Sequence, residues 1–353
     1  MLVTGAAVLL TIAVALGGTL AGRWTPQLSQ LRTGDPELVQ RAAPLLTGVR
    51  HAASVCYATD EDIRYAHFGS DERKRYEIAS LTKTFTGELL ADSVARGEVR
   101  LDTRVGDLLD LGDAPIADAT LQDLATYRSG LGEWGDDTRD DTLRRWWVED
   151  VRAGTVHDID LPELLDRARQ DPLSTRGLFA YSNIGIALLG HALAAAADID
   201  YPTLLRQRLI EPLELVDTRL GTSEYHNRPR GFAENGRRSP PWNLGAYAPA
   251  GSGISTIADM CRYAQRLVTA DTEEAVEEGL PVARMVADGG DGDGVGLGWY
   301  VRRNEDGPVA WKTGRTGGFA SMIAIADGRA VVVLSDTASP VDDLVWDLID
   351  RAP

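Results

Sequence analysis

The stretch Tyr76-Glu-Ile-Ala-Ser-Leu-Thr-Lys-Thr-Phe-Thr86 decides how this chain is read. Its apolar spacing continues through Phe85, Leu89, Leu90 and Val94, so Ser80 stands where a short extended segment turns into a helix, with Gly97 suited to end it. Three residues apart on a helix, Ser80 and Lys83 share one face and come within hydrogen-bonding reach. A serine hydroxyl is a poor nucleophile until a neighbouring base takes its proton, and a desolvated lysine amine can be that base. Taken alone, Ser-x-x-Lys more often marks an exposed helix turn. Composition adds weight: of 36 cationic residues only Lys74, Lys83 and Lys312 are lysines. Arginine cannot surrender its proton in a protein, so a chain that otherwise uses arginine has kept Lys83 and Lys312 for amine chemistry.

Two further stretches extend the pattern. Phe179-Ala-Tyr181-Ser-Asn183-Ile-Gly185 sets a phenol and an amide two apart before the strongly apolar helix 184–196. Trp311-Lys312-Thr313-Gly314-Arg315-Thr-Gly-Gly-Phe319 sets an ammonium and a hydroxyl on a strand that ends in glycines. Individually, Tyr181 reads as a packed aromatic, Asn183 as a helix cap and Lys312 as a strand-edge charge. Together and in this order they resemble the Ser-x-x-Lys, Tyr-x-Asn and Lys-Thr-Gly motifs of the penicillin-recognising serine hydrolases. The Tyr-x-Asn form resembles class C β-lactamases, related D,D-peptidases and β-lactamase-like esterases. The likeness spans roughly residues 38–350. It includes Leu124-Ala-Thr-Tyr-Arg-Ser-Gly-Leu131, Glu211-Pro-Leu-Glu-Leu-Val-Asp-Thr218, Ala250-Gly-Ser-Gly-Ile-Ser-Thr256 and Gly296-Leu-Gly-Trp299.

The resemblance implies an acyl-enzyme on Ser80, with Lys83 and Tyr181 sharing the base work. A phenol serves as a base only where flanking cations favour its phenolate, a field that Lys83 and Lys312 could supply. Asn183 would hold Lys83 and meet the substrate amide, and Lys312 and Thr313 would recognise a carboxylate. The backbone N–H groups of Ser80 and Arg315 would form the oxyanion hole, while Gly314, Gly317 and Gly318 would let substrate approach closely. Expected substrates are a peptidoglycan stem peptide, a β-lactam or an ester. Lysine in the Lys-Thr-Gly position favours carboxylate-bearing ones, so D,D-carboxypeptidase or β-lactamase leads over esterase. A non-hydrolytic penicillin-binding sensor is the alternative from another class. Two departures bear on specificity: Tyr127-Arg-Ser-Gly stands where relatives often carry His-Thr-Ser-Gly, and Arg315 is bulky beside the expected oxyanion site. Rival chemistries lack support, since no serine sits in Gly-x-Ser-x-Gly and the five histidines have no triad-like context. His191 reads as a packing or capping group, and Glu211-Pro-Leu-Glu as only an echo of a deacylating glutamate segment.

A net charge of −17 argues against nucleic acid. Cys56 and Cys261 lie in apolar-patterned segments and read as buried small hydrophobes, not as a disulfide or metal pair. No metal or cofactor is expected. Asp288-Gly-Gly-Asp-Gly-Asp-Gly294 misses calcium-loop spacing and reads as a loop. Residues 133–170, with Trp134, Trp146 and Trp147 among many acids, form either a lid or a solvated loop with its aromatics packed beneath.

The uncharged apolar run 1–22 reads as a signal peptide or N-terminal membrane anchor, which makes the protein extracytoplasmic, secreted or anchored. The arginines that follow the run would, by the positive-inside bias, argue the opposite orientation. Residues 23–34 read as a linker and 35–353 as one hydrolase domain, its α/β part 35–84 with 292–353 and its helical part 85–291. Asp35-Pro36 opens a helix to about Leu46, ended or kinked at Pro44. Strand-like runs follow at 51–58, 63–68 and 75–79, then late ones at 296–302, 308–313, 319–326 and 330–335, before a helix from Ser339-Pro340. Early and late strands with helices between them predict an α+β fold. In it, an antiparallel sheet of about five strands from both chain ends is covered by the terminal helices and carries a large helical insertion.

Overall fold

In a computed structural model, residues 26–135, 158–221, 228–269, 287–288, 294–304, 307–326 and 328–351 are described. The apolar run 1–22, Trp146, Trp147 and most of the glycine-aspartate loop lie outside them. The early strands are β1 (Arg32–Gly34), β2 (Ala53–Thr59), β3 (Ile63–Phe68) and β4 (Arg75–Ala79). The middle of the chain supplies β5 (Arg219–Leu220), β6 (Gly253–Thr256), β7 (Ala287–Asp288) and β8 (Gly294–Val295). The late strands are β9 (Tyr300–Asn304), β10 (Gly307–Arg315), β11 (Ala320–Ala326) and β12 (Arg329–Ser335).

Nine of these strands form an antiparallel sheet in the order β1-β3-β2-β12-β11-β10-β9-β8-β7, so the two chain ends meet where β12 pairs with β2. The expected α+β architecture is present, with short edge strands the sequence did not signal. Arg32–Gly34, read as linker, pairs with β3 as an edge strand. Its three residues are all exposed, so no apolar alternation marks it. The strand β4 leaves the main sheet for a second one of order β4-β6-β5.

Both faces of the main sheet are covered, which explains its near-continuous apolar strands. Along β12, Val331 and Val333 pack with Leu38 from helix Pro36–Ala42 and Leu344 and Leu348 from helix Asp342–Asp350. The alternate residues Val332 and Leu334 face the larger core with Phe85, Leu188 and Tyr263. The first helix is capped by Asp35, whose carboxylate accepts from the Leu38 N–H at 2.8 Å, and it ends before Pro44.

Cys56 on β2 and Cys261 on helix Ile257–Thr269 form a disulfide, correcting the reading of two free buried thiols. Both sit in fully buried apolar surroundings, which disguises the pairing in the sequence. The fold brings their Cα atoms to 6.0 Å across a separation of 205 residues.

Candidate active site

Ser80 lies in the turn between β4 and helix Thr82–Ala95. Two local irregularities place it: the β4–β6 register shifts between Glu77 and Ala79, and Ala79 adopts φ +48°, an unfavourable region for a residue with a Cβ. Ser321 Oγ donates to Ile78 O at 2.9 Å, fastening the end of β4 to β11.

Three distant segments converge on Ser80. Lys83 Nζ lies 3.0 Å from Ser80 Oγ, and Tyr181 Oη lies 2.9 Å from the same oxygen. Lys83 is fully buried and also donates to Asn183 Oδ1 and Ala250 O, each at 2.6 Å. Asn183 opens the helix Asn183–Ala196, which is apolar all round and buried; Ser182 caps it by accepting from Gly185 N–H at 3.0 Å. On β10, Lys312 Nζ donates to Tyr127 Oη at 2.9 Å and lies 4.0 Å from the Tyr300 ring centroid and 5.0 Å from that of Tyr181. A cavity of about 260 Å³ is lined by Ser80, Tyr181, Asn183, Lys312, Thr313 and Arg315. Six of the expected site residues therefore border one cleft, with Lys83 directly behind Ser80, whereas Gly314, Gly317 and Gly318 do not line it.

Electrostatics reverse one expectation. Burial pushes the Lys83 amine down to about 7, although the charge of Glu133 acts the other way. Burial, and then repulsion from Lys83, hold Lys312 well below the ordinary lysine value. The Tyr181 phenol is raised by burial, which outweighs the lowering effect of its Ser80 hydrogen bond. Burial thus disfavours the phenolate of Tyr181 just as it disfavours the charged forms of Lys83 and Lys312.

The glycines differ from expectation too. A Cβ at Gly314 would fall 2.4 Å from Ile78 O, and one at Gly317 2.6 Å from Ser239 Oγ; at Gly318 it would meet Gly231 at 3.0 Å. These positions admit the protein's own backbone and side chains. Arg315, on the wall of the cleft, pairs its half-exposed guanidinium with Glu234.

Several lining groups lay outside the three motifs. Glu133, Trp134, Trp242 and Tyr300 come from three separate segments, Tyr127 lies buried behind them accepting from Lys312, and the Ala250 carbonyl is a backbone group with no side-chain signal. Trp134, read as part of either a lid or a loop with its aromatics packed beneath, is buried beside Trp242 with ring centroids 6.4 Å apart. His191 contacts Ala246 O at 2.8 Å through Nε2, a packing role as read, and His51 pairs with Asp336. Among the described residues no group of three or more His, Cys, Asp or Glu could hold a metal ion.

Residues 38–352 match the Beta-lactamase family model. The chain is 28% identical over 315 residues to D-alanyl-D-alanine-carboxypeptidase/endopeptidase AmpH of Escherichia coli K12, covering 78% of this chain and 77% of that protein. It is 26% identical over 318 residues to a beta-lactamase of the same organism, with 78% and 79% covered. A solved class C beta-lactamase superposes with a TM-score of 0.75 over 90% of this chain and 95% of that one, at 17% identity, a likeness of fold.

Proposed function

Given that the chain belongs to the beta-lactamase family of serine hydrolases, we propose that Ser80 is its acylated nucleophile and Lys83 the base that activates it. The observation that carries this is the surroundings of Lys83 Nζ. Two of its three neighbours, Asn183 Oδ1 and Ala250 O, can only accept hydrogen bonds; the third is the Ser80 hydroxyl. A neutral amine satisfies this set by donating its two hydrogens to the acceptors and turning its lone pair to Ser80. The amine value of about 7 makes that form abundant at neutral pH.

In the proposed reaction Ser80 Oγ bonds to the substrate carbonyl carbon and its proton passes to Lys83. Collapse breaks the bond to the leaving nitrogen or oxygen, which receives a proton through the neutral phenol of Tyr181. Water then adds to the acyl carbon by the same route in reverse, releasing the acid and restoring the Ser80 hydroxyl. Backbone N–H groups of Ser80 and Arg315 are assigned to the oxyanion, where one such donor contributes about 10²–10³ in rate. Asn183 and Thr313 hold the substrate, with Lys312 against its carboxylate and Gly314 giving β10 its seat on β4.

The substrates proposed are D-Ala-terminated peptides or β-lactams. The AmpH likeness over most of both chains supports the peptide side. One observation favours a second reading, a carboxylesterase: Lys312 is 1% exposed and burial disfavours its charge. Nitrocefin turnover, D-Ala release from a stem peptide and cleavage of p-nitrophenyl esters, each on wild type and Ser80→Ala, separate these. Stable labelling by a fluorescent penicillin without any turnover would point to a sensor. Labelling that survives in Ser80→Ala would remove the proposed nucleophile. Export is also proposed, since a buried disulfide suits an oxidising compartment and residues 1–22 have signal or anchor character.

A further inference from the structure

We infer that Glu133, with Trp134 and Trp242 beside it, forms a subsite for a protonated amine on the acyl side of the substrate. The carboxylate is exposed and lines the same cavity as Ser80. Its position is set by its backbone, because Glu133 O accepts from the N–H groups of Asn183 at 2.8 Å and Ile184 at 3.2 Å. That ties it to the start of the helix that also presents Asn183. Asn183 then bridges the two halves of the site, offering Oδ1 to Lys83 and Nδ2 to Glu133 Oε1 at 3.4 Å. The second carboxylate oxygen has no hydrogen-bond partner among the described residues, and Glu133 forms no ion pair there.

Among the described residues, no cation on the cavity wall pairs with this carboxylate. Arg315, the remaining cation on the cavity wall besides Lys312, is engaged by Glu234. Lys83 and Lys312 are buried in settings that disfavour their charged forms. The neighbouring indoles are the second element of recognition. Trp134 and Trp242 meet edge to face with centroids 6.4 Å apart, and both border the cavity beside the carboxylate. A carboxylate and two indoles on the wall of one cavity recognise an ammonium group through charge and cation–π attraction together. Ser80, Lys83, Asn183 and Glu133 are joined in that order by hydrogen bonds, so the amine sits within a few residues of the carbonyl that Ser80 attacks. The class of ligand is a short peptide or acyl amide with a free amine near the scissile bond.

The position of the subsite relative to the reacting carbonyl rests on the hydrolase reading, so the test separates binding from turnover. Calorimetry would compare L-Lys-D-Ala-D-Ala with its Nα,Nε-diacetyl form on Ser80→Ala and on Ser80→Ala/Glu133→Gln. The free-amine peptide is expected to bind about tenfold more tightly than the diacetyl form. In the double variant that ratio falls toward one, and raising salt erodes it in Ser80→Ala alone. Equal affinities in Ser80→Ala, an unchanged ratio in the double variant, or no binding of the free-amine peptide would overturn the inference. Absence of turnover on wild type would count against the hydrolase reading and leave the binding result standing by itself.

Discussion

Replacing Lys83 by arginine keeps a cation and its length while removing the capacity to lose a proton, so it isolates the property on which the mechanism depends. With its amine near 7, about half of Lys83 is neutral at pH 7; at the ordinary lysine value of 10.5 only about one molecule in 3,000 would be. Burial therefore raises the supply of free base by about 10³, and the Arg variant forfeits all of it. Acylation of wild type, followed by stopped-flow with nitrocefin or a fluorescent penicillin, should climb as pH rises through about 7 and then level off. Lys83→Arg should acylate at least about 10³-fold more slowly at pH 8, with no such rise. Lys83→Met, which fills the buried volume without a charge, should be as slow and shows whether misfolding is responsible. The same shift has a sign for stability. Between about pH 7 and 10.5 the unfolded chain holds the proton that folded Lys83 has lost, so this residue makes stability rise with pH across that window. A rate flat from pH 6 to 9, or an arginine variant within tenfold of wild type, would refute the reasoning.

Removing the disulfide with Cys56→Ala and Cys261→Ala together should cost about 2–5 kcal/mol, read as a lower urea midpoint that reductant no longer changes. An identical midpoint with and without reductant in wild type would contradict the bond. Gly314→Ala drives a methyl into Ile78 O and should destabilise by about 1–3 kcal/mol while displacing β4 and Ser80, so thermal unfolding and acylation should suffer together. Lys312→Ala should reduce turnover of carboxylate-bearing penicillins more than that of neutral p-nitrophenyl esters; equal losses would count against carboxylate recognition. Tyr181→Phe should slow acylation by about 10²–10⁴ without loss of stability, a split that a purely packing tyrosine would not give.

Legibility followed from how local each signal is. Ser80 and Lys83 meet through helix geometry, and the five long strands β2, β3, β10, β11 and β12 carry apolar runs that any reading of periodicity finds. Asp35-Pro36 and Gly97 mark helix ends through their own backbone preferences, and Gly97 does adopt φ +71°. What stayed hidden depends on tertiary approach. The Cys56–Cys261 bond joins a strand to a helix that nothing in the sequence pairs. Thr256 caps the helix Ile257–Thr269 by accepting from Asp259 N–H at 3.2 Å. The Asp259 carboxylate, however, accepts from Asp217 N–H and Thr218 Oγ1, contacts set by a loop about forty positions away. Glu133 carries no motif at all, and only the fold turns it from one acid among many into a wall of the cleft.

The same distinction accounts for the choice of lysine. Lys74, outside the motifs, spends its ammonium on an ordinary ion pair with Asp336 at 2.8 Å, a job arginine does equally well. Lys83 and Lys312 are sealed to 0% and 1% exposure, and each lowers the other's affinity for a proton when charged. A substrate carboxylate beside Lys312 would supply the missing counter-charge and favour its ammonium. That ammonium would in turn hold Lys83 neutral, which is the form the proposed reaction needs. A carboxylate-bearing substrate would thus assist its own acylation through the second lysine, whereas a neutral ester would leave both amines as they stand. Specificity and activation would then share one electrostatic origin: Lys83→Arg would abolish the base, whereas Lys312→Arg, charged at all times, would uncouple activation from the substrate carboxylate.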